Sequence, residues 1–206
     1  MSGRLDAIKA LVLPAKRIAD VGCDHARIAE YCVNCGIAES VVASDISEQC
    51  LNKARARLGN ADNVTFVCCD GIKYDCDEAV IAGMGGLLIT QILESATCLP
   101  ETLVLCPHRD CYAVRSKLTE LGYTIEVDTD ICDRGKFYSV MRAVLGTQKQ
   151  ALSELQLLFG VNVAKDSAVL KARLKKLYDT YMQAPESNAL KISQVKAAAA
   201  WQGMTL

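Results

Sequence analysis

The sequence predicts an α/β fold, in which a mostly parallel sheet of seven strands carries helices on both faces and is followed by an α-helical appendage. Two observations predict it. Between Arg17 and Val144, short apolar runs alternate with amphipathic stretches, which is typical of repeated strand–helix units. After Gly146 no strand-forming run remains, and apolar residues recur at helical spacing. A chain of 206 residues is long enough for one well-buried domain and such an appendage.

The elements follow in order from the N-terminus. The stretch "MSGRLDAIKALV" places charged residues among apolar ones, so it predicts an amphipathic helix and not the uninterrupted apolar core of a signal peptide. The predicted parallel strands are "RIADVG", "SVVASD", "VTFVCCDG", "DEAVIAGMGG" and "TLVLCP". The predicted helices between and after them are "HARIAEYCVNCG", "SEQCLNKARARLG", "LLITQILESA" and "CYAVRSKLTELG".

The sheet is predicted to end in an antiparallel hairpin. In "YTIEVDTDICDRGKFYSVMRAV", two runs rich in β-branched and aromatic residues are separated by Asp133, Arg134 and Gly135. This hairpin completes a Rossmann-like sheet of seven strands.

The appendage is predicted to be a coiled-coil-like pair of antiparallel helices joined near Pro185. The first helix carries apolar residues at Leu170, Leu174, Leu177 and Tyr181. We therefore divide the chain into a domain of residues 1–146 and a helical domain of residues 147–206. Residues 147–206 contain 8 Lys and Arg and 4 Asp and Glu, a net charge of +4, whereas residues 1–146 contain 15 and 20, a net charge of −5. A basic appendage favours contact with a polyanion, with a solvated helical face as the alternative.

Composition excludes several classes of protein. No apolar run approaches the roughly 20 residues that cross a bilayer, so the sequence predicts a cytoplasmic protein with no membrane contact. The 11 cysteines are interpreted as reduced thiols, because their number is odd and a chain of this size builds its core without disulfides. Cys32 and Cys35 form a C-x-x-C without a second pair at ligand spacing, so no metal site is predicted.

The turn after the first strand carries an acid where dinucleotide-binding turns favour glycine. In "DVGCDHA", Asp24 follows Gly22 by two residues, and a carboxylate there would repel a pyrophosphate. A cationic cofactor without phosphates, such as the sulfonium S-adenosylmethionine, would be attracted instead. The alternative is that Asp24 caps a helix beginning at His25.

Acidic residues end the first three predicted strands. Asp20, Gly22 and Asp24 end the first, Asp45 ends the second, and Asp70 with Gly71 ends the third. The carboxyl ends of parallel strands meet at one crevice. We expect Asp45 to accept hydrogen bonds from ribose hydroxyls and Asp70 to accept one from an adenine amino group, although acids at strand ends also serve as turn residues.

The fourth strand ends in "AGMGG". Gly83, Gly85 and Gly86, with Met84 between them, leave backbone amides exposed, so a flat group can approach closely. The alternative is a tight strand-to-helix turn that needs glycine for its dihedral angles.

Taken together, "DVGCDHA", "AGMGG", "LVLCPH" and "GKFYSV" resemble the TrmK family of class I methyltransferases over nearly the whole chain. The resemblance implies S-adenosylmethionine as cofactor, N1 of adenine 22 in tRNA as methyl acceptor, and a C-terminal tRNA-contacting appendage. It implies a cofactor site that includes Ile46 and His25 besides the acids and glycines above. It implies Pro107 and Tyr138 as RNA contacts. The net positive charge of the appendage predicts Lys171, Arg173, Lys175 and Lys176 as further RNA contacts. Arg4 is expected to contact RNA phosphate or the mouth of the pocket, with a plain surface arginine as the alternative. The family often has Gln-Pro-Asn where this chain has Cys106, Pro107 and His108, and Glu where it has Ser139.

Methylation at adenine N1 needs no strong nucleophile, because N1 already has a lone pair. The enzyme aligns the base with the methyl group and stabilises the positive charge that develops on the ring. Asp24 is the first catalytic candidate and His25 the second, with a structural histidine as the alternative. We expect a monomer or weak homodimer. The alternative functions are a protein that binds S-adenosylmethionine or RNA without turnover, and a nucleotide-dependent oxidoreductase.

Overall fold

The computed structural model describes residues 3–59, 61–146 and 150–206. Its centre is a seven-stranded sheet in the order β3-β2-β1-β4-β5-β7-β6. The strands are β1 Ala15–Val21, β2 Ala38–Asp45, β3 Val64–Cys68, β4 Glu78–Ala82, β5 Thr102–Cys106, β6 Tyr123–Asp133 and β7 Lys136–Leu145. Strands β1 to β5 pair in parallel, and β7 runs antiparallel to both β5 and β6. The predicted Rossmann-like sheet and its terminal hairpin are confirmed.

The helices pack on both faces of the sheet, as predicted. Their bounds are α1 Arg4–Lys9, α2 Arg27–Cys35, α3 Glu48–Leu58, α4 Gly86–Glu94 and α5 Cys111–Glu120. Successive side chains of a strand point to opposite faces, so Ile81 packs with α4 and α5 while its neighbour Val80 packs with α2 and α3. The β6–β7 turn places Arg134 at φ 50° and Gly135 at φ 75°, the left-handed conformation of tight hairpin turns.

The appendage contains the two predicted helices, α7 Ala168–Tyr181 and α8 Ala189–Trp201, with a short 3₁₀ helix at Glu186–Asn188 between them. It also contains α6 Glu154–Phe159, which the sequence analysis missed. Ser153 and Gln156 form a capping box at its start, and this pair is the sequence signal that could have revealed it. Phe159, Leu174 and Val195 belong to a separate apolar cluster that the three helices share. The predicted boundary between residues 146 and 147 adjoins residues 147–149, which lie outside the described residues.

Among the described residues, none of the helices is both long enough and apolar enough to cross a membrane.

Candidate active site

The carboxyl ends of β1 to β4 line one cleft, which we call the strand-end cleft. It consists of two hollows of about 260 and 300 Å³ that share Gly22. The inner hollow is lined by Asp45, Ile46, Asp70, Gly71, Met84 and Leu88. The outer hollow is lined by Arg4, Asp20, Asp24, His25, Gly83 and His108. The structure therefore brings together the acids that the sequence analysis placed at successive strand ends.

The turn between β1 and α2 is held in an unusual backbone conformation. Gly22 has φ 70°, and two residues with side chains, Asp24 at φ 40° and Ala26 at φ 50°, also lie in the left-handed region. The amides of Gly22 and Cys23 both donate to the Ser44 carbonyl oxygen at the end of β2, at 2.8 and 2.9 Å. Such conformations persist only where the surroundings enforce them, and they concentrate at functional sites.

Asp24 does not cap a helix. Helix α2 begins at Arg27, its N-cap is Ala26, and no side chain caps it. The Asp24 carboxylate is about half exposed, with Oδ1 3.0 Å from Lys53 Nζ and Oδ2 3.5 Å from His25 Nε2. The hydrogen bond from Lys53 is the main cause that lowers the pKa of Asp24. Asp24 therefore stays ionised at the mouth of the outer hollow.

Asp20 forms the buried floor of the same hollow. Its Oδ2 accepts a hydrogen bond from the Ala29 amide at 3.1 Å, which ties β1 to the first turn of α2. Burial raises the pKa of Asp20 to about 7, and the nearby Asp45 carboxylate acts in the same direction. Asp20 is thus a carboxyl group that changes charge near neutral pH.

The inner hollow combines carboxylates with exposed apolar side chains. Asp45 accepts hydrogen bonds from the amides of Asp24 at 3.1 Å and Ser47 at 2.9 Å, so its carboxylate is held in one orientation. Ile46 and Leu88 are 71% and 45% exposed, although both are large and apolar. An apolar wall beside a fixed carboxylate fits a nucleoside, whose base is flat and whose ribose hydroxyls donate hydrogen bonds.

The glycines of the turn after β4 have two different roles. Gly83, at φ 84°, lines the outer hollow, and Met84 lines the inner one. Gly85 and Gly86 line neither hollow, so the structure does not bring them together with the other predicted cofactor residues. A Cβ atom on Gly86 would lie 2.5 Å from the Asp110 carbonyl oxygen, and its amide donates to the Arg109 carbonyl at 3.0 Å. Gly86 serves close packing of α4 against the loop before α5.

A second cleft, which we call the basic cleft, adjoins the outer hollow. It is lined by Arg4, His108, Lys136, Tyr138, Arg173 and Lys176, among others. Arg4 Nη1 lies 2.5 Å from His108 Nε2, and the Arg4 guanidinium lies 5.2 Å from the centre of the Tyr138 ring. Arg4 and His108 line both clefts. Two of the predicted RNA contacts, Arg4 and Tyr138, therefore line this cleft together.

Other predicted RNA contacts are placed elsewhere. Pro107 is buried and lines neither cleft, so the structure does not bring it together with Arg4 and Tyr138. Lys171 pairs with Asp166 at 2.5 Å and Lys175 with Asp179 at 2.8 Å, both outside the lining of the basic cleft. Arg173 and Lys176 face that cleft.

Lys53, Lys136 and His108 line or adjoin these clefts but were not predicted from the sequence. Lys53 reaches Asp24 from α3, 29 positions further along the chain, and no local pattern records that contact. Lys136 follows the hairpin turn, where a charged residue is ordinary. His108 had one signal, its position directly after β5, where ligand-facing residues of parallel sheets lie.

Residues 1–141 match the family described as "Methyltransferase domain". The chain belongs to this family. It is 35% identical over 170 residues to the "Putative tRNA methyltransferase" of Mycoplasma pneumoniae, an alignment that covers 78% of this chain and 79% of that protein. It is 27% identical to the tRNA (adenine(22)-N(1))-methyltransferase of Bacillus subtilis, over 87% of this chain and 82% of that one.

Among solved structures, the fold is similar to that of TrmK from M. capricolum in complex with S-adenosyl-homocysteine. The TM-score is 0.84 at 19% identity, and the match covers 98% of this chain and 96% of that one. The resemblance to the TrmK family is confirmed, and membership of a methyltransferase family removes the oxidoreductase alternative.

Proposed function

We propose that the protein transfers a methyl group from S-adenosylmethionine to N1 of an adenine in tRNA, at position 22. The observation that supports it best is the strand-end cleft, where an inner hollow lined by Asp45, Ile46 and Leu88 adjoins an outer hollow lined by the ionised Asp24. The similarity to the Bacillus subtilis enzyme supports the choice of nucleotide. We propose further that the protein acts in the cytoplasm as a monomer or weak homodimer.

The residues of the inner hollow fit the nucleoside part of the cofactor. Asp45 would accept hydrogen bonds from the ribose hydroxyls, Asp70 would accept one from the adenine amino group, and Ile46 would cover the base. Gly83, at φ 84°, leaves room for the methionyl part, because no atom beyond its chain neighbours lies within 4 Å of where its Cβ would be. A Cβ atom on Gly22 would lie 2.6 Å from Met84 Cε, so the glycine there makes space for Met84. When bound, S-adenosylmethionine supplies the methyl group.

The outer hollow supplies charge where the reaction needs it. As adenine N1 forms its bond to the methyl carbon, positive charge develops on the ring. Asp24 is a fixed anion there, since the Lys53 ion pair keeps it deprotonated and the turn is pinned to Ser44 and Asp45. His25, beside Asp24 Oδ2, serves as a hydrogen-bond partner for the base or as acceptor of a proton from its amino group.

The test is incubation with unmodified tRNA and S-adenosylmethionine labelled in its methyl group, followed by mapping of the methylated nucleoside. We expect 1-methyladenosine at position 22. Methylation of a different atom would contradict the proposal, and binding of both ligands without transfer would establish the alternative of a binding protein.

Asp24→Asn tests the role of the anion, because it keeps the side-chain shape and removes the charge. With both substrates saturating, we expect kcat to fall about 100- to 1,000-fold, the scale of losing one electrostatic contact in a transition state. Asp75→Asn is the control, an exposed aspartate that lines neither cleft. An unchanged kcat in Asp24→Asn would remove Asp24 from the catalytic site.

A further inference from the structure

The basic cleft is a cavity of about 570 Å³ between the β6–β7 turn and α7, so both parts of the chain build it. It adjoins the outer hollow of the strand-end cleft, since Arg4 and His108 line both. A chain of nucleotides lying in the basic cleft would therefore pass directly to the outer hollow.

The cleft carries positive charge that acidic side chains do not neutralise. Among the described residues, neither Lys136 nor Lys176 lies within 4.0 Å of a carboxylate oxygen, and Lys176 Nζ donates only to the Gly135 carbonyl at 3.1 Å. His108 Nε2 accepts from the Arg4 guanidinium, which can only donate, so His108 is neutral. Burial and then the charges of Arg4 and Lys136 lower the pKa of His108, in agreement with a positive field.

Helix α7 has two basic sides that differ in their partners. Lys171 and Lys175 each pair with an acid of the appendage itself, at 2.5 and 2.8 Å. Arg173 faces the cleft but is bound to Asp130, at 2.8 and 2.9 Å, so it holds α7 against β6. Lys176 is the α7 cation that is both exposed and directed into the cleft.

Aromatic rings lie beneath these cations. Lys176 Nζ is 5.7 Å from the centre of the Phe137 ring, and the Arg4 guanidinium is 5.2 Å from that of Tyr138. The His108 and Tyr138 rings meet edge to face with centroids 6.1 Å apart. Cations for phosphates together with aromatic faces for bases are the combination that binds single-stranded nucleic acid.

We propose that the basic cleft holds the ribose-phosphate backbone of the RNA strand that carries the target adenosine, with phosphates bound by Lys136 and Lys176. This assignment rests on the proposed function, and it excludes Lys171 and Lys175 from the contact. It places the RNA between the catalytic part and the appendage, and not along the outer side of the helical pair.

The experiment compares neighbouring lysines of the full chain. We expect Lys176→Ala and Lys136→Ala each to raise the Kd for unmodified tRNA about five- to tenfold and to reduce the slope of log Kd against log salt by about 0.7 to 0.9. Lys175→Ala is the matched control on the same helix. We expect its Kd for tRNA and its salt slope to equal those of the chain without substitutions. The Kd for S-adenosylmethionine, measured by calorimetry, should be the same in every variant, which shows that each is folded.

Each outcome either supports or overturns the assignment of the basic cleft. Equal tRNA binding by Lys175→Ala and Lys176→Ala, whether both weakened or both unchanged, would overturn the assignment of the cleft. If the unmodified chain binds tRNA but methylates another nucleotide or none, the proposed function fails while the binding comparison still judges the cleft. If it binds no tRNA, both fail.

Discussion

At the scale of single residues, the site depends on carboxyl groups kept in different states of charge. Asp24 is ionised beside Lys53, whereas Asp20 is buried and has a pKa raised to about 7. The two groups are four residues apart, Asp20 near the end of β1 and Asp24 in the turn that follows it. Both residues are aspartates, so the difference between their pKa values comes from burial and not from residue type.

Asp20 gives a prediction about stability and pH. Between its usual pKa of 3.8 and about 7, the folded chain keeps a proton on Asp20 that the unfolded chain has lost, so stability falls as pH rises through this window. Asp20→Asn keeps an oxygen for the Ala29 amide and cannot ionise. We therefore expect the variant to gain stability relative to the original chain from pH 5 to pH 8, by up to about 3 kcal/mol.

Urea unfolding at several pH values measures this difference, with Asp75→Asn as the control. A free-energy difference between Asp20→Asn and the original chain that is constant from pH 5 to pH 8 would show that Asp20 titrates alike in the folded and unfolded states.

At the scale of elements, a buried polar network connects α5, the hairpin and the appendage. The guanidinium of Arg115 is fully buried and donates to both oxygens of Asp128, at 2.7 and 3.1 Å, and to the Leu157 carbonyl of α6 at 2.9 Å. It also donates to Ser139 Oγ at 3.1 Å, and Ser139 donates to Asp130 at 2.8 Å. Ser139, which stands where the family often has Glu, is thus a connecting residue of this network.

Breaking the network should be costly, because a charge would remain buried without its partner. We expect Asp128→Ala to lower the free energy of unfolding by about 3 to 5 kcal/mol, as measured by urea denaturation. The control is Asp179→Ala, which removes an exposed pair with Lys175 and should cost no more than about 0.5 kcal/mol. Similar losses in the two variants would mean that the Arg115–Asp128 pair contributes no more than a surface contact.

At the scale of the whole molecule, the appendage is anchored to the catalytic part. Leu152 and Val161 pack on the main core, the Val161 amide donates to Asp128 at 3.0 Å, and Arg173 binds Asp130. The carbonyl groups of α6 also satisfy Arg115. Residues 1–146 by themselves would leave these partners exposed or unpaired.

We accordingly expect a fragment of residues 1–146 to have a Tm about 10 °C or more below that of the full chain, which is the scale of losing 3 to 5 kcal/mol in a chain of this size. A fragment of residues 1–163 keeps α6 and Val161 and should recover part of the difference. Thermal unfolding followed by circular dichroism measures both. Equal Tm values for the 1–146 fragment and the full chain would make the appendage an independent unit.

The sequence by itself determined the succession of strands and helices along residues 1–146, the terminal hairpin and the acids of the strand-end cleft. These follow from local periodicity and from the rule that parallel strands direct their carboxyl ends to one edge. The TrmK resemblance followed from short motifs in that same region.

Only the tertiary structure decided which of these residues line the two clefts and which serve packing or ion pairs. It showed that Asp24 pairs with Lys53 and caps no helix, that Gly86 serves packing, that Pro107 is buried, and that Lys176 faces the basic cleft while Lys175 does not. The physical reason is that each of these properties depends on a partner distant in sequence. Composition and spacing describe a residue's neighbours along the chain, whereas burial, ion pairing and pKa depend on its neighbours in space.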